Sequence, residues 1–189
     1  MPSSLYHHIS DIMSVLISLN PRSFLDIGCG FGRWGFLARE FCDIFQGRYD
    51  KSTWKTRIDG VEVFEEYIRP HHKYIYDKIY ICKIEDFIND MNKYDVIFAG
   101  DVIEHLEKSE AKDLLEKLFS KYNKSLIVAV PLGNWYQGEV FGNPYETHRS
   151  IWLKEDLEEL KPRYIKLYDV NNYPKYGVAI WSNQRIFKS

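Results

Sequence analysis

Two short segments of the sequence carry acidic and histidine side chains of the kinds that transfer protons or bind metals. Asp101, Glu104 and His105 follow an apolar run typical of a buried strand, and His148 lies further along the chain. If 101–106 forms one helical turn, the first three side chains share a face. At the edge of a sheet, such groups can hold an imidazole as a base, bind a divalent metal, or simply satisfy one another's hydrogen bonds.

Among these alternatives we expect a histidine base and no bound metal. On this hypothesis His105 or His148 accepts the proton and Glu104 orients the ring. Activity would then survive EDTA, and the acid limb of the pH–rate profile would report a group titrating near the ordinary histidine value of about 6.5. Loss of activity on chelation, with recovery in Mg²⁺ or Mn²⁺, would instead make these residues and Asp101 metal ligands.

A glycine-rich turn (28–32, the glycine turn) follows the first apolar run of strand character. Glycines permit positive φ and close approach of a ligand, and the N-terminus of the following helix offers unpaired N–H groups. Gly30-x-Gly32-x-x-Gly35 also fits the dinucleotide pattern, which is a weak match on its own. Asp26 lies two residues before Gly28. A carboxylate beside the turn would repel a phosphate and attract an ammonium group.

A second carboxylate, Glu62, ends the next predicted strand. At this position it can accept both ribose hydroxyls of a nucleoside lying across the carboxyl edge of the sheet, with Val63 packed on the adenine. A NAD-dependent enzyme would use Glu62 in the same way, so this residue does not distinguish the two kinds of cofactor.

The elements that position these residues alternate between helix and strand. The final two strands have almost nothing between them, so they must form an antiparallel hairpin. We predict one α/β domain over 1–189: a doubly wound, mostly parallel seven-stranded sheet with a C-terminal antiparallel hairpin and helices on both faces. The predicted strands are 23–27, 56–62, 78–82, 94–99, 125–130, 164–170 and 177–181. The predicted helices lie within 1–20, 31–45, 65–69 (stopping at Pro70), 85–91, 111–122 and 154–161.

The run Leu25-Asp-Ile-Gly-Cys-Gly-Phe-Gly resembles motif I of the class I S-adenosylmethionine-dependent methyltransferases. The segment 98–107 resembles their strand-four segment, and 143–152 resembles a stretch that carries a histidine over the active site. The resemblance implies S-adenosyl-L-methionine as cofactor, and it departs from the family at Lys83, where an adenine-binding Asp is common. The cofactor-binding residues that it implies are Asp26, Gly28, Gly30, Glu62, Val63, Ile84, Gly100 and Asp101.

The loop 131–152 is long and rich in aromatic residues, which argues against disorder. We predict that it is a substrate lid, more mobile without ligand than the sheet. An aromatic, mostly uncharged lid favours a small or glycan-like hydroxyl compound as substrate.

Composition excludes several other classes. A net charge of −2 and a pI near 6.3 provide no basic field for nucleic acid. No apolar run approaches the roughly 18 residues of a membrane span, and Met1-Pro-Ser-Ser is not typical of a signal peptide. Three scattered cysteines are typical of a reducing compartment, so we expect a cytoplasmic protein.

The expected activity is methyl transfer from S-adenosylmethionine to a hydroxyl group. Two alternatives remain: a NAD-binding oxidoreductase, against which Asp26 argues, and a cofactor-binding subunit that serves a partner without catalysis.

Overall fold

A computed structural model describes residues 5–170 and 173–186, so Met1-Pro-Ser-Ser and the first residues of the predicted segment 1–20 lie outside the described residues. Seven strands form one sheet in the order β3-β2-β1-β4-β5-β7-β6. The pairs among β1 to β5 are parallel, and β7 runs antiparallel to both β5 and β6. The predicted fold class is therefore confirmed. The strands are β1 Ser23–Ile27, β2 Arg57–Glu62, β3 Lys78–Ile81, β4 Tyr94–Gly100, β5 Tyr122–Pro131, β6 Tyr164–Val170 and β7 Tyr173–Ser182.

Helices cover both faces of the sheet, because successive side chains of a buried strand point to opposite sides. In β4, Val96 and Phe98 belong to one apolar core, and Ile97 and Ala99 belong to the other. α1, α2 and α3 pack on the first face, and α4, α5 and α6 pack on the second. The helices are α1 Ile9–Leu19, α2 Arg33–Cys42, α3 Pro70–Ile75, α4 Ile84–Asp90, α5 Lys108–Leu118 and α6 Lys154–Glu159. Among the described residues, none of these helices has the length and apolar character needed to cross a membrane.

Several predicted boundaries of helices and strands were wrong. One of these errors concerns α3, which contacts the glycine turn. Residues 65–67 form only a 3-10 turn, and Pro70 begins α3 where it was predicted to end a helix. Proline suits the first helical position, because its ring presets φ and its missing N–H has no intrahelical partner there. Similarly, Tyr122 begins β5 and does not end the preceding helix.

The strand order reverses at β1, which lies between β2 and β4. In open α/β sheets, ligands bind at the carboxyl ends of the strands beside such a reversal. The glycine turn after β1, Glu62 at the end of β2 and the segment after β4 therefore meet at one edge.

Candidate active site

A cavity of about 780 Å³ opens over the carboxyl ends of β1, β2, β4 and β5. This volume lies within the usual range for small-molecule and cofactor sites. One continuous wall joins the glycine turn and Glu62 to His105, His148 and the 131–152 loop. The cavity thus brings together most of the residues singled out in the sequence.

The glycine turn is left-handed at three positions, with φ of 67° at Gly28, 51° at Gly30 and 87° at Gly32. A Cβ on Gly28 would lie 2.8 Å from Cγ2 of Val102, so a larger residue there would displace the segment that follows β4. Positive φ and close packing together require glycine at Gly28.

Glu62 lies at the end of β2 and lines the cavity while remaining only 5% exposed. Its Oε2 accepts a hydrogen bond from Gly30 N at 2.8 Å, and its Oε1 accepts one from Phe64 N at 2.9 Å. Burial raises the pKa of this carboxyl. A carboxylate oxygen has two lone pairs, so each retains capacity for a further donor such as a ligand hydroxyl.

Asp26 is fully buried and does not line the cavity. Its Oδ2 accepts hydrogen bonds from the Tyr76 hydroxyl at 2.6 Å and from Gly35 N at 3.1 Å. Its second carboxylate oxygen, Oδ1, has no hydrogen-bond partner among the described residues. The expectation that this carboxylate attracts a ligand ammonium group stays a prediction, and through Oδ2 the side chain also holds the start of α2.

We expect Asp26 to make the apo protein less stable as the pH rises. Burial raises the pKa of Asp26 from its ordinary value of 3.8 to about 7. A carboxyl whose folded pKa is raised contributes stability below its unfolded pKa and loses it as the pH passes through the folded pKa. Urea unfolding of wild type and Asp26→Asn from pH 4 to 8 should show the difference in unfolding free energy shifting by roughly 2–4 kcal/mol in favour of the variant. Parallel pH curves would contradict this assignment.

The remaining predicted cofactor residues, Val63, Ile84, Gly100 and Asp101, all line the cavity. Ile84 is the first residue of α4, whose first N–H groups have no intrahelical partner. Lys83 also lines the cavity, with its Nζ 5.9 Å from the centroid of the Tyr145 ring.

Asp101 does not belong to a helical turn with Glu104 and His105. Only Ile103–His105 form a 3-10 turn, and Asp101 precedes it with a left-handed φ of 53°. Its Oδ1 accepts a hydrogen bond from the Tyr176 hydroxyl at 2.8 Å. The expectation that all three share one helical face was wrong, because Asp101 has a left-handed backbone and lies before the 3-10 turn.

Glu104 is 1% exposed, and no N–H or hydroxyl group of the described residues donates to its carboxyl, whose polar neighbour is the carboxyl of Asp101. Burial and the neighbouring Asp101 raise the pKa of Glu104 well above its usual value. No hydrogen bond joins Glu104 to His105 or His148 among the described residues, so its role in orienting a histidine stays a prediction.

Glu104, His105 and His148 nevertheless converge, with one potential ligand atom from each lying within 4.8 Å of the others. The two imidazole rings are 4.9 Å apart between centroids. Nδ1 of His105 lies 3.2 Å from the Thr147 carbonyl oxygen, and Nδ1 of His148 lies 2.6 Å from that of Trp135. A carbonyl oxygen only accepts, so each neutral ring carries its proton on Nδ1 and leaves Nε2 as a lone-pair donor.

Burial and the neighbouring His148 lower the pKa of His105 to about 4, and burial lowers the pKa of His148. Both rings are therefore neutral near pH 7. This is the form that accepts a proton or binds a metal ion.

The architecture is shared with solved methyltransferase structures. TehB from Haemophilus influenzae superposes with a TM-score of 0.63 at 11% identity, over 95% of this chain and 63% of TehB. Magnesium protoporphyrin IX methyltransferase from Synechocystis PCC 6803, solved with bound S-adenosylhomocysteine, gives 0.62 at 14% identity, over 92% of this chain and 82% of that one. A SAM-dependent methyltransferase from Archaeoglobus fulgidus gives 0.62 at 16% identity, over 93% and 94%. The protein has the class I methyltransferase fold. No family model matches the sequence, and no curated protein matches it.

On this methyltransferase fold, the 131–152 loop is anchored at its end and exposed near its middle. Arg149 N and Ser150 N donate to the Glu104 carbonyl oxygen at 2.8 and 3.1 Å, and Trp152 is fully buried. In contrast, Tyr136 is 94% exposed and Phe141 is 79% exposed. The role of this loop as a lid stays a prediction, and any movement would be confined to its middle.

Sequence reasoning missed several residues that shape this methyltransferase-fold cavity. Glu146 accepts hydrogen bonds from the Tyr67 hydroxyl at 2.8 Å and from Gln137 Nε2 at 3.1 Å, which ties the loop to the segment after β2. His72 and Tyr76 of the α3 region contact the glycine turn and Asp26. A signal for His72 was present in the sequence, because Pro70 suits the first position of a helix that would carry His71 and His72.

Proposed function

We propose that the protein transfers a methyl group from S-adenosyl-L-methionine to a hydroxyl group of a small or glycan-like molecule. The observation that carries the proposal is the single cavity that joins the glycine turn and Glu62 to the two imidazoles. The residues proposed to bind the cofactor and the imidazoles proposed to accept a proton therefore line the same open cavity.

The residues around the turn fit this cofactor. Glu62 offers carboxylate lone pairs at the strand end for the ribose hydroxyls, and Val63 and Ile84 offer apolar surface for the adenine. S-adenosylmethionine, when bound, supplies an electrophilic methyl group. The protein contributes orientation and exclusion of water.

A NAD-binding oxidoreductase is the less favoured alternative. Besides Asp26, an observation against it is at Gly30, whose N–H donates a hydrogen bond to Oε2 of Glu62. In dinucleotide-binding folds such turn N–H groups bind the pyrophosphate. Here a pyrophosphate would meet a carboxylate.

A hydroxyl acceptor must lose its proton during methylation, and Nε2 of His105 or His148 can receive it. However, a ring whose pKa is lowered to about 4 is a weak base near pH 7, because proton transfer is most efficient when the pKa lies near the working pH. A simple histidine base would therefore act at a pH well above the pKa of its ring.

A second candidate function is that Glu104, His105 and His148 hold a divalent cation. It is favoured by the burial of Glu104 without a hydrogen-bond donor beside two imidazoles. A cation would satisfy both the buried carboxylate and the two Nε2 lone pairs, and Nδ1 contacts to carbonyl oxygens are typical of metal-binding histidines. A carboxylate with two imidazoles suits divalent first-row metals. When bound, the ion would lower the pKa of a coordinated hydroxyl.

The second candidate predicts that methyl transfer is lost on chelation, whereas a histidine base predicts that it survives. The assay incubates the protein with S-adenosylmethionine and panels of phenols, polyols and sugars, and detects S-adenosylhomocysteine and methylated product by mass spectrometry. Treatment with EDTA should remove at least about 90% of the activity, and Mn²⁺, Mg²⁺ or Zn²⁺ should restore it. Full activity in EDTA would return the role to a histidine base, and no product with any hydroxyl compound would favour the non-catalytic subunit.

A further inference from the structure

α3 and the residue after it contact the glycine turn at several points. Nε2 of His72 lies 2.9 Å from the Gly30 carbonyl oxygen, and Nε2 of His71 lies 2.9 Å from that of Phe31. Behind the turn, the Tyr76 hydroxyl donates to Asp26. No sequence motif of the glycine turn itself predicts these contacts.

The hydrogen-bond partners of His72 determine its proton position. Its Nδ1 accepts a hydrogen bond from Arg69 N at 3.0 Å, so the ring carries its proton on Nε2 and donates it to the Gly30 carbonyl. The ring is fully buried, and burial lowers its pKa, which keeps it neutral. His72 is therefore a fixed donor.

Both backbone polar groups of Gly30 are therefore hydrogen-bonded to side chains. Its N–H donates to Glu62 and its carbonyl accepts from His72, while its φ is 51°. Gly30 and Glu62 both line the cavity. His72 is therefore linked to the Glu62 carboxylate through Gly30, because the two side chains hydrogen-bond to its carbonyl and its N–H.

Tyr76 contacts the first turn of α2, which directly follows the glycine turn. A Cβ on Gly35 would lie 2.1 Å from Cζ of Tyr76, so the last glycine of the G-x-G-x-x-G pattern provides space for a tyrosine ring. The Tyr76 hydroxyl lies 2.6 Å from Asp26 Oδ2 and also accepts from Gly35 N at 3.2 Å. This glycine therefore serves packing within the protein.

We infer that His72, supported by Tyr76, is a positioning residue that preorganises Gly30 and Glu62 for the cofactor. The inference rests on the proposed function. A turn already fixed in its binding geometry does not have to be ordered when the ligand binds, so preorganisation appears as affinity. Loss of the donor should therefore weaken cofactor binding and raise its KM, with little change in kcat at saturation.

The test compares His72→Phe with His72→Gln by calorimetric titration with S-adenosylhomocysteine. Phenylalanine fills the space without a donor, whereas glutamine can both accept from Arg69 N and donate to the Gly30 carbonyl. We expect about a tenfold higher Kd for His72→Phe, the scale of one lost hydrogen bond, and recovery to within about threefold for His72→Gln. The control is Lys73→Ala, an exposed position on the same helix, which should bind as wild type.

Several results would overturn the inference. One is wild-type affinity in His72→Phe, and another is equal weakening in both variants with equal losses of Tm, which indicates a purely structural role. If His72→Phe does not fold, the same titration is made with Tyr76→Phe. This variant retains the ring but removes the hydroxyl that donates to Asp26. An unchanged Kd for S-adenosylhomocysteine would contradict the inference. Failure of the wild-type protein to bind S-adenosylhomocysteine would instead refute the proposed function, and the inference with it.

Discussion

Glu104→Gln is expected to reduce methyl transfer by at least about 100-fold while leaving S-adenosylhomocysteine affinity within about twofold. The carboxylate lies beside the two imidazoles but does not line the cavity wall. An amide keeps the shape of the side chain but cannot ionise, so it removes the carboxylate that a bound cation would stabilise against the raised pKa of Glu104. The measurement is kcat under saturating cofactor and acceptor.

Glu116→Gln, an exposed position on α5, is the matched control and should behave as wild type. If Glu104→Gln keeps more than about a third of the wild-type kcat, the cluster does not perform the chemistry. Equal loss of activity and of cofactor binding would indicate that the substitution disturbs the whole edge of the sheet.

Glu62→Ala should raise the Kd for S-adenosylhomocysteine by roughly 10- to 100-fold, corresponding to about 1–3 kcal/mol. The substitution removes the expected ribose acceptor and also leaves Gly30 N without its partner. Titration calorimetry measures the effect, with exposed Glu66→Ala as control. Unchanged affinity in Glu62→Ala would place the cofactor elsewhere.

Much of the fold was predictable because buried strands and their connections leave strong local signals. β1 and β6 were predicted at their observed bounds, and the close succession of the last two strands required the antiparallel hairpin. Helix ends were less accurate, since caps depend on contacts that sequence patterns do not contain. Pro70 shows this, because the same residue can end one helix or begin another.

The site was only partly predictable, because side-chain direction depends on packing. Asp26 and Glu62 both lie near the carboxyl ends of predicted strands. Glu62 lines the cavity, whereas Oδ2 of Asp26 accepts a hydrogen bond from Tyr76, a residue fifty positions away. Likewise, the convergence of His105 and His148 depends on the path of the 131–152 loop. The sequence supplied the reactive groups, and the tertiary contacts determine which of them meet.

Binding of S-adenosylmethionine in this cavity is tested by calorimetric titration of the wild-type protein with S-adenosylhomocysteine, S-adenosylmethionine, NADH and NADPH. We expect one site of micromolar-order affinity for the two sulfur compounds, corresponding to a binding free energy of about −8 kcal/mol, and no heat from either nicotinamide. Tight binding of NADH, with the sulfur compounds silent, would contradict it.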